Sequence, residues 1–312
     1  FIEEAPLARI QRHKISTFAS GMEAVLHIHE IVGTAGAGLT VGISAAIHGN
    51  EGTGSQVILD LARRIDPAKV RGRILLLPVA NPPAFEANLR NSPIDHLNLN
   101  RHFPGDTGGW FSEQLAAVMV KQFLKKIDVL IDIHAGGALP TVDYIYIRND
   151  EAMSRAFGSK LLYRAKPGIG GTVYEGTAAG IADSNGAKSM VVELGGGVLD
   201  QAPYVQRCLG GVENVLRHLK VLGGKPKPPP SEQIVMAGID IIRPTMGGWL
   251  ENAAPPLGEK VAAGAVLGRV VSPYTFETLE TIRNTGKAGW MVLAHLSRNL
   301  VQPGEYGYMI GR

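Results

Sequence analysis

The feature that most limits how this chain can fold is an apolar run at residues 39–47 that leads directly into His48-Gly49-Asn50-Glu51. A short apolar run bounded by turn residues predicts a buried strand, here followed by a turn into a helix. Because Gly49 allows the backbone to turn sharply, the side chains of His48 and Glu51 can point to one place. The spacing alone is common, so its meaning depends on the other strands.

Two later apolar runs end in similar polar residues. Residues 129–131 lead into Asp132 and His134, and residues 190–192 lead into Glu193. In open α/β sheets, ligands bind beyond the carboxyl ends of the strands. We therefore expect the polar residues of all three runs to lie around one site.

These side chains have the composition of a catalytic zinc site. Two His and one carboxylate typically hold zinc and leave a position open for water. The pattern predicts one zinc ion per chain bound by His48, Glu51 and His134, with Glu193 available as a base. Asp132 lies on the same strand face as His134, where it can orient a ligand or the water.

A second His-x-x-Glu pattern, His27-Ile28-His29-Glu30, has the same spacing but a different context. It lies inside an alternating run that is typical of a strand, so His27 and Glu30 should point to opposite faces. We interpret His27 and His29 as solvent-facing strand residues.

The order of the predicted elements favours an α/β fold. Helical patterns at 55–65 and 112–126 alternate with strand-like runs such as 72–79. This alternation predicts a mainly parallel or mixed sheet flanked by helices.

The pattern changes at a segment with four prolines, which can neither continue a helix nor join a sheet. Short β-like runs separated by Gly and Pro follow it. We predict a catalytic domain at 1–222, a linker at 223–231 and a small all-β domain at 232–312.

Composition restricts the partners and the compartment. The net charge is +3, and the basic clusters contain no interleaved aromatic residues that would stack on bases, so nucleic-acid binding is not expected. No apolar stretch reaches roughly 18 residues, so no membrane span is predicted. Cys208 is the single cysteine, which excludes an internal disulfide and favours a reducing, cytoplasmic location with Cys208 buried. A homo-oligomer is compatible with the sequence, but no segment specifies an interface.

Four motifs together resemble the succinylglutamate desuccinylase/aspartoacylase family, whose members are relatives of the zinc carboxypeptidases. They are the segment 48–51, Asn98-Leu99-Asn100-Arg101 with the following His-Phe-Pro-Gly, Asp132-Ile133-His134, and Val192-Glu193-Leu194-Gly195. They occur in the family's order. The resemblance implies a zinc-carboxypeptidase-like fold, followed by a β domain similar to biotinyl/lipoyl modules. Lys287 alone lies near the hairpin where such modules carry their cofactor, and it lacks the flanking residues for attachment.

The resemblance also implies roles for individual residues. His48, Glu51 and His134 would be the zinc ligands, and Glu193 would be the general base. Asn100 and Arg101 would hold the α-carboxylate of the substrate, a task for which the planar fork of Arg is suited. Arg90 would polarise the scissile carbonyl.

The implied activity is the hydrolysis of a small-molecule N-acyl amino acid to a carboxylate and a free amino acid. Two alternatives remain open: a metallocarboxypeptidase acting on short peptides, and a zinc-binding protein without catalysis. No Gly-x-Ser-x-Gly segment surrounds Ser184 or Ser189, which argues against a serine hydrolase. The acyl group is not readable from the motifs, and residues 169–180 and the surroundings of Trp110 are the candidates for its pocket.

Overall fold

The structure is a computed structural model that describes residues 9–164, 176–197, 199–296 and 299–312. Part of the predicted acyl-group segment, residues 169–175, lies outside the described residues. The strands are β1 (Arg9–Thr17), β2 (Glu23–Val32), β3 (Thr40–Ala45), β4 (Arg73–Leu77), β5 (Val129–Ala135), β6 (Thr141–Ile147), β7 (Leu161–Tyr163), β8 (Lys188–Gly195), β9 (Ile234–Met236), β10 (Ile239–Ile242), β11 (Gly248–Asn252), β12 (Lys260–Val261), β13 (Val266–Val271), β14 (Thr278–Arg283), β15 (Gly289–Ala294), β16 (Leu300–Val301) and β17 (Tyr308–Gly311). The α-helices are α1 (Thr53–Arg64), α2 (Pro82–Glu86), α3 (Phe111–Gln122), α4 (Glu151–Ala156), α5 (Ala178–Ser184) and α6 (Ala202–His218), and 3-10 turns lie at Pro67–Lys69, Leu99–Arg101 and Leu124–Lys126.

A large mixed sheet runs through the molecule in the order β1-β2-β4-β3-β5-β8-β6-β15-β17-β10. Its centre is parallel, since β3 pairs in parallel with β4 and β5, and β5 pairs in parallel with β8. Antiparallel strands flank this centre, with β2 beside β4 and β6 beside β8. The predicted mixed α/β sheet with helices is confirmed.

Helices cover both faces of the parallel centre. One face packs against apolar residues of α1 and α6, including Leu61 and Val212, and the other packs against α3 and α5 through residues such as Leu115 and Ala182. Central strands enclosed on both sides explain why their sequences are continuous apolar runs rather than alternating ones. Cys208 of α6 is buried in this core, and burial raises the pKa of its thiol, as expected for a structural cysteine.

The helix predicted at 112–126 corresponds to α3, which ends earlier than the sequence pattern predicts. It leaves α-helical geometry at Phe123 (φ −126°, ψ −65°) and continues as a 3-10 turn. Phe123 is fully buried against Gly42 of β3, where an added Cβ would lie 2.9 Å from the ring. Packing of this ring under the sheet therefore competes with the helix and ends it.

The chain after residue 231 is β structure in its described part and contributes to two sheets. β11, β13, β14 and β16 form a separate four-stranded sheet. β15, β17 and β10 instead extend the large sheet, because β15 bridges β6 at Leu293 and Thr141. None of the described helices combines the length and apolarity needed to cross a bilayer.

Candidate active site

The predicted site residues line one cavity of about 530 Å³ at the carboxyl ends of the parallel strands. They are His48, Glu51, Arg90, Asn100, Arg101, Asp132, His134 and Glu193. The strand register explains their proximity. His134 of β5 lies opposite Glu193 of β8, and Glu193 lies opposite Tyr144 of β6. Every second residue of these strands therefore faces the cavity.

The turn after β3 brings His48 and Glu51 together, but not as the sequence suggested. The left-handed residue is Ala46, with a φ of 51°, whereas Gly49 has no positive φ. Gly49 is required for a different reason, since an added Cβ would lie 1.9 Å from the backbone carbonyl carbon of Ala84. The turn therefore depends on a close approach of two backbone segments.

Three side chains form a candidate metal centre, because ligand atoms of His48, Glu51 and His134 all lie within 4.8 Å of one another. Nδ1 of His48 lies 2.8 Å from Glu51 Oε1, and Nδ1 of His134 lies 3.0 Å from Glu51 Oε2. All three residues are buried. The cluster could bind a metal ion.

The hydrogen bonds on the other side of each ring show that this donor set fits a cation. Asn98 Oδ1 accepts from the backbone N–H of Asn100, so it is an acceptor, and His48 Nε2 lies 3.1 Å from it. His134 Nε2 lies 3.1 Å from Asp132 Oδ2. Each of the four ring nitrogens therefore faces an oxygen acceptor, whereas a neutral imidazole carries only one N–H. A cation bound at the two Nδ1 atoms would relieve this conflict and leave one N–H on each Nε2.

The electrostatics of the three side chains favour the same conclusion. Burial lowers the pKa of His48 and outweighs the effect of Glu51, so His48 is neutral near pH 7. Burial also lowers the pKa of His134, but the charges and hydrogen bonds of Asp132 and Glu51 raise it well above its usual value. The pKa of Glu51 lies far below its usual value despite burial, because both imidazoles stabilise its charge. A metal ion would take the place of the proton that His134 holds between two carboxylates.

Glu193 differs from Glu51, because none of the described residues donates a charged hydrogen bond to it. Burial raises the pKa of Glu193 to about 8; His134 and Arg90 lower it, while Glu51 and Asp132 raise it further. A carboxyl with a pKa near neutrality can both accept and return a proton, which is the property required of a general acid–base.

The residues predicted to hold substrate have different environments. Arg90 Nη1 donates to Glu51 Oε1 at 2.9 Å, which places its guanidinium beside the metal centre. Asn100 Oδ1 accepts from the backbone N–H of Ala178 at the start of α5, so its Nδ2 remains the donor. Arg101 lines the cavity, and its Nη1 donates to the backbone carbonyl of Asn100 at 2.6 Å.

Asp132 acts on the site through two hydrogen bonds. Its Oδ2 faces His134, and its Oδ1 accepts from the hydroxyl of Ser44 at 2.7 Å. The alternative pair lies elsewhere, since His27 is exposed on β2 and Glu30 accepts from Gln11 and Arg73.

Sequence reasoning missed several residues of the cavity. Asn98 was quoted in a motif without a role, and Asn50 Oδ1 is buried with no hydrogen-bond partner among the described residues.

Tyr144, Tyr146 and Arg148 line the wall formed by β6. Their every-second-residue spacing was a usable signal. Leu293 of β15, Met309 of β17 and Tyr306, just before β17, also line the cavity, and no motif pointed to them. Trp110, a predicted candidate, is 70% exposed and is not among the residues that line the cavity.

A two-His, one-Glu cluster with a neighbouring Glu, at the carboxyl edge of a parallel sheet, has the residue composition that metallohydrolases use. Comparison with known proteins makes this class more specific. The model of the succinylglutamate desuccinylase/aspartoacylase catalytic domain matches residues 37–219. The N-alpha-acetyl-L-2,4-diaminobutyric acid deacetylase of Halomonas elongata is 30% identical over 248 residues, which span 75% of this chain and 71% of that protein.

Solved structures agree over nearly the whole chain. A succinylglutamate desuccinylase from Silicibacter sp. TM1040 superposes with a TM-score of 0.85 at 27% identity, covering 99% of this chain and 97% of that one. The product-bound ectoine utilization protein EutE (DoeB) from Ruegeria pomeroyi gives a TM-score of 0.83 at 26% identity, with coverage of 99% and 97%. The chain belongs to the succinylglutamate desuccinylase/aspartoacylase family, and its similarity to these deacylases identifies it as an amide hydrolase.

Proposed function

We propose that this protein uses one zinc ion to hydrolyse the amide bond of an N-acyl amino acid, producing a carboxylate and a free amino acid. The observation that carries the proposal is the convergence of His48, Glu51 and His134, with Glu193 opposite His134 in the sheet. Catalytic zinc typically has three protein ligands and an open position, whereas structural zinc is closed by four.

The chain's own groups would divide the chemistry as follows. When bound, zinc supplies a Lewis acid that polarises the amide and makes water more acidic. Glu193 would take the proton of the attacking water and deliver it to the departing amine. Arg90, held beside the ligands by Glu51, would stabilise the negative charge that develops on the carbonyl oxygen.

Asn100 and Arg101 would bind the α-carboxylate. The two residues share one backbone segment whose position is fixed by the contact of Asn100 with α5. The planar guanidinium of Arg101 can bond both oxygens of a carboxylate. This grip would distinguish amino-acid derivatives from simple amides.

The shape of the cavity favours a small substrate over a peptide. Leu293 and Met309, from β15 and β17, and Tyr306, just before β17, line the same cavity as the metal centre. They would limit the space available to a longer peptide. The Halomonas elongata relative is a deacetylase, which supports a short acyl group here.

The test is hydrolysis of a panel of N-acyl amino acids, monitored by mass spectrometry, with zinc-loaded and chelator-stripped protein compared. We expect cleavage only with metal, and recovery when zinc is added back. The amides of the same amino acids serve as controls for the carboxylate grip. Cleavage that is unchanged after the metal is removed would contradict the zinc proposal, and an inert zinc-loaded protein would favour the non-catalytic alternative.

A further inference from the structure

The wall of the cavity that is formed by β6 carries a charge at a distance from the metal centre. Tyr144, Tyr146 and Arg148 occupy alternate positions and all line the cavity. Tyr144 is level with Glu193, and Arg148 lies four residues further along, roughly 13 Å at the backbone. The backbone of Arg148 therefore lies away from the reacting groups, on a part of the wall that a distal group of the substrate would contact.

This cation is already neutralised by an acidic residue of the chain. Nη2 and Nε of Arg148 donate to Oδ2 of Asp183 at 2.6 and 3.2 Å. Both side chains are largely shielded, at 20% and 26% exposure. Shielding makes the pair stronger than an exposed ion pair, because solvent screens it less.

Asp183 is itself held in place. Its Oδ1 accepts from Asn149 Nδ2 at 3.0 Å and from the hydroxyl of Ser189 on β8. Asp183 also lies on α5, whose first turn contacts Asn100. The carboxylate therefore cannot leave Arg148 without the loss of several hydrogen bonds, and the positive charge of the guanidinium stays compensated.

The other arginines that line the described part of the cavity also have a carboxylate partner, either in the protein or in the proposed substrate. Arg90 is bonded to Glu51, and Arg101 is assigned to the α-carboxylate by the proposed function. Near Arg148 the lining includes Tyr146, Val191 and Ala179, which carry no charge. A substrate with a second carboxylate would have to lose its hydration there without a free cation to compensate.

We infer that Asp183, by neutralising Arg148, restricts this deacylase to N-acyl amino acids that carry no negative charge besides the α-carboxylate. Asp183 is then a specificity-determining residue, and succinyl groups and acidic side chains are excluded. This inference rests on the proposed function, since it assigns the α-carboxylate to Arg101.

The experiment compares kcat/KM for N-acetyl-alanine, N-acetyl-aspartate and N-succinyl-alanine in zinc-loaded wild type, Asp183→Asn and the double variant Asp183→Asn/Arg148→Gln. We expect wild type to prefer N-acetyl-alanine over both dianions by roughly a hundredfold, the scale of selectivity set by an unpaired buried group. Asp183→Asn should raise kcat/KM for at least one dianion by roughly tenfold or more, and the double variant should lose that gain. The dianion that improves identifies whether Arg148 faces the acyl group or the side chain.

A matched control is Asp143→Asn, which breaks another Arg–Asp pair, with Arg207, outside the cavity. It should leave the selectivity unchanged. If Asp183→Asn does not fold, inhibition of wild type remains informative: N-acetyl-aspartate should inhibit the cleavage of a neutral substrate far more weakly than N-acetyl-serine does.

The outcomes separate the inference from the proposed function. Equal cleavage of neutral and dianionic substrates by wild type, or an Asp183→Asn variant that folds and gains nothing, would overturn the inference and leave the deacylase proposal intact. If zinc-loaded wild type cleaves no panel member, the proposed function fails first.

Discussion

The most informative perturbation of the metal centre is the replacement of Asp132. This residue touches no substrate atom in the proposed mechanism and acts only through His134. Its Oδ2 lies 3.1 Å from His134 Nε2, and its Oδ1 accepts from Ser44 at 2.7 Å. Asp132→Asn loses the charge but can keep both contacts if its amide oxygen accepts from His134 and its NH2 donates to the Ser44 hydroxyl oxygen. Asp132→Ala leaves the buried Ser44 hydroxyl and the His134 N–H unpaired.

The magnitude follows from these contacts. The loss of a partner that orients a metal-bound imidazole typically weakens metal affinity tenfold to hundredfold, or about 1.4 to 2.7 kcal/mol. We expect Asp132→Asn near the lower end and Asp132→Ala near the upper end. Asp132 also raises the pKa of His134, so a proton competes with zinc more strongly in wild type than in either variant. The difference in affinity should therefore shrink as the pH is lowered.

The assay is competition for zinc between each protein and a fluorescent chelator, measured from pH 6 to pH 8.5. Asp128→Asn is the matched control, because Asp128 lies beside β5 at its opposite end and its carboxylate accepts from the backbone N–H of Thr40 rather than from a residue of the site. Zinc affinity equal to wild type in folded Asp132→Ala would refute the claim that His134 is a ligand oriented by Asp132. A loss of the same size in Asp128→Asn would indicate a general effect on the sheet.

Three further predictions concern individual residues. In metal-free protein the raised pKa of Glu193 means that the folded state keeps a proton that the unfolded chain releases above about pH 4.5. The free energy of unfolding should therefore fall by on the order of 5 kcal/mol up to about pH 8. When the free energy of unfolding is measured by urea titration, Glu193→Gln should not show this fall with pH. The same pH dependence in the variant and in wild type would contradict the raised pKa of Glu193. Arg101→Ala should increase KM for N-acyl amino acids at least roughly tenfold more than it increases KM for their amides, because only the free carboxylate forms a charged hydrogen-bonded pair with Arg101. Equal increases in KM would indicate that Arg101 has a structural role. His27→Ala should leave zinc affinity unchanged in the chelator assay, because His27 is exposed on β2. A lower zinc affinity would mean that His27, rather than His48, belongs to the metal site.

The parallel centre of the sheet was predictable because its strands are enclosed on both faces and therefore read as continuous apolar runs. The same property indicated where the strands end and which polar residues meet there. His134 and Glu193, far apart in the chain, are neighbours because β5 and β8 are adjacent. The order of the strands along the chain does not show that β5 and β8 are neighbours. The metal-binding types of residue at the ends of both strands do suggest it.

Contacts between distant segments were not predictable in the same way. The role of Gly49 depends on the backbone of Ala84, and the end of α3 depends on a ring that packs beside Gly42. The pairing of Arg148 with Asp183 joins the end of β6 to α5, and neither residue belongs to a motif. Tyr306 and Met309 reach the cavity only because the C-terminal strands join the large sheet. Such contacts are set by packing, which a local pattern does not contain.

The central claim is that His48, Glu51 and His134 hold zinc while Glu193 performs the proton transfers. The most direct test measures zinc content and turnover of a cleaved N-acyl amino acid on the same sample of Glu193→Gln. The account predicts about one zinc per chain, as in wild type, with turnover reduced at least roughly a hundredfold, the scale of a lost general base. Full turnover by the zinc-loaded variant, or loss of zinc from a folded variant, would contradict it.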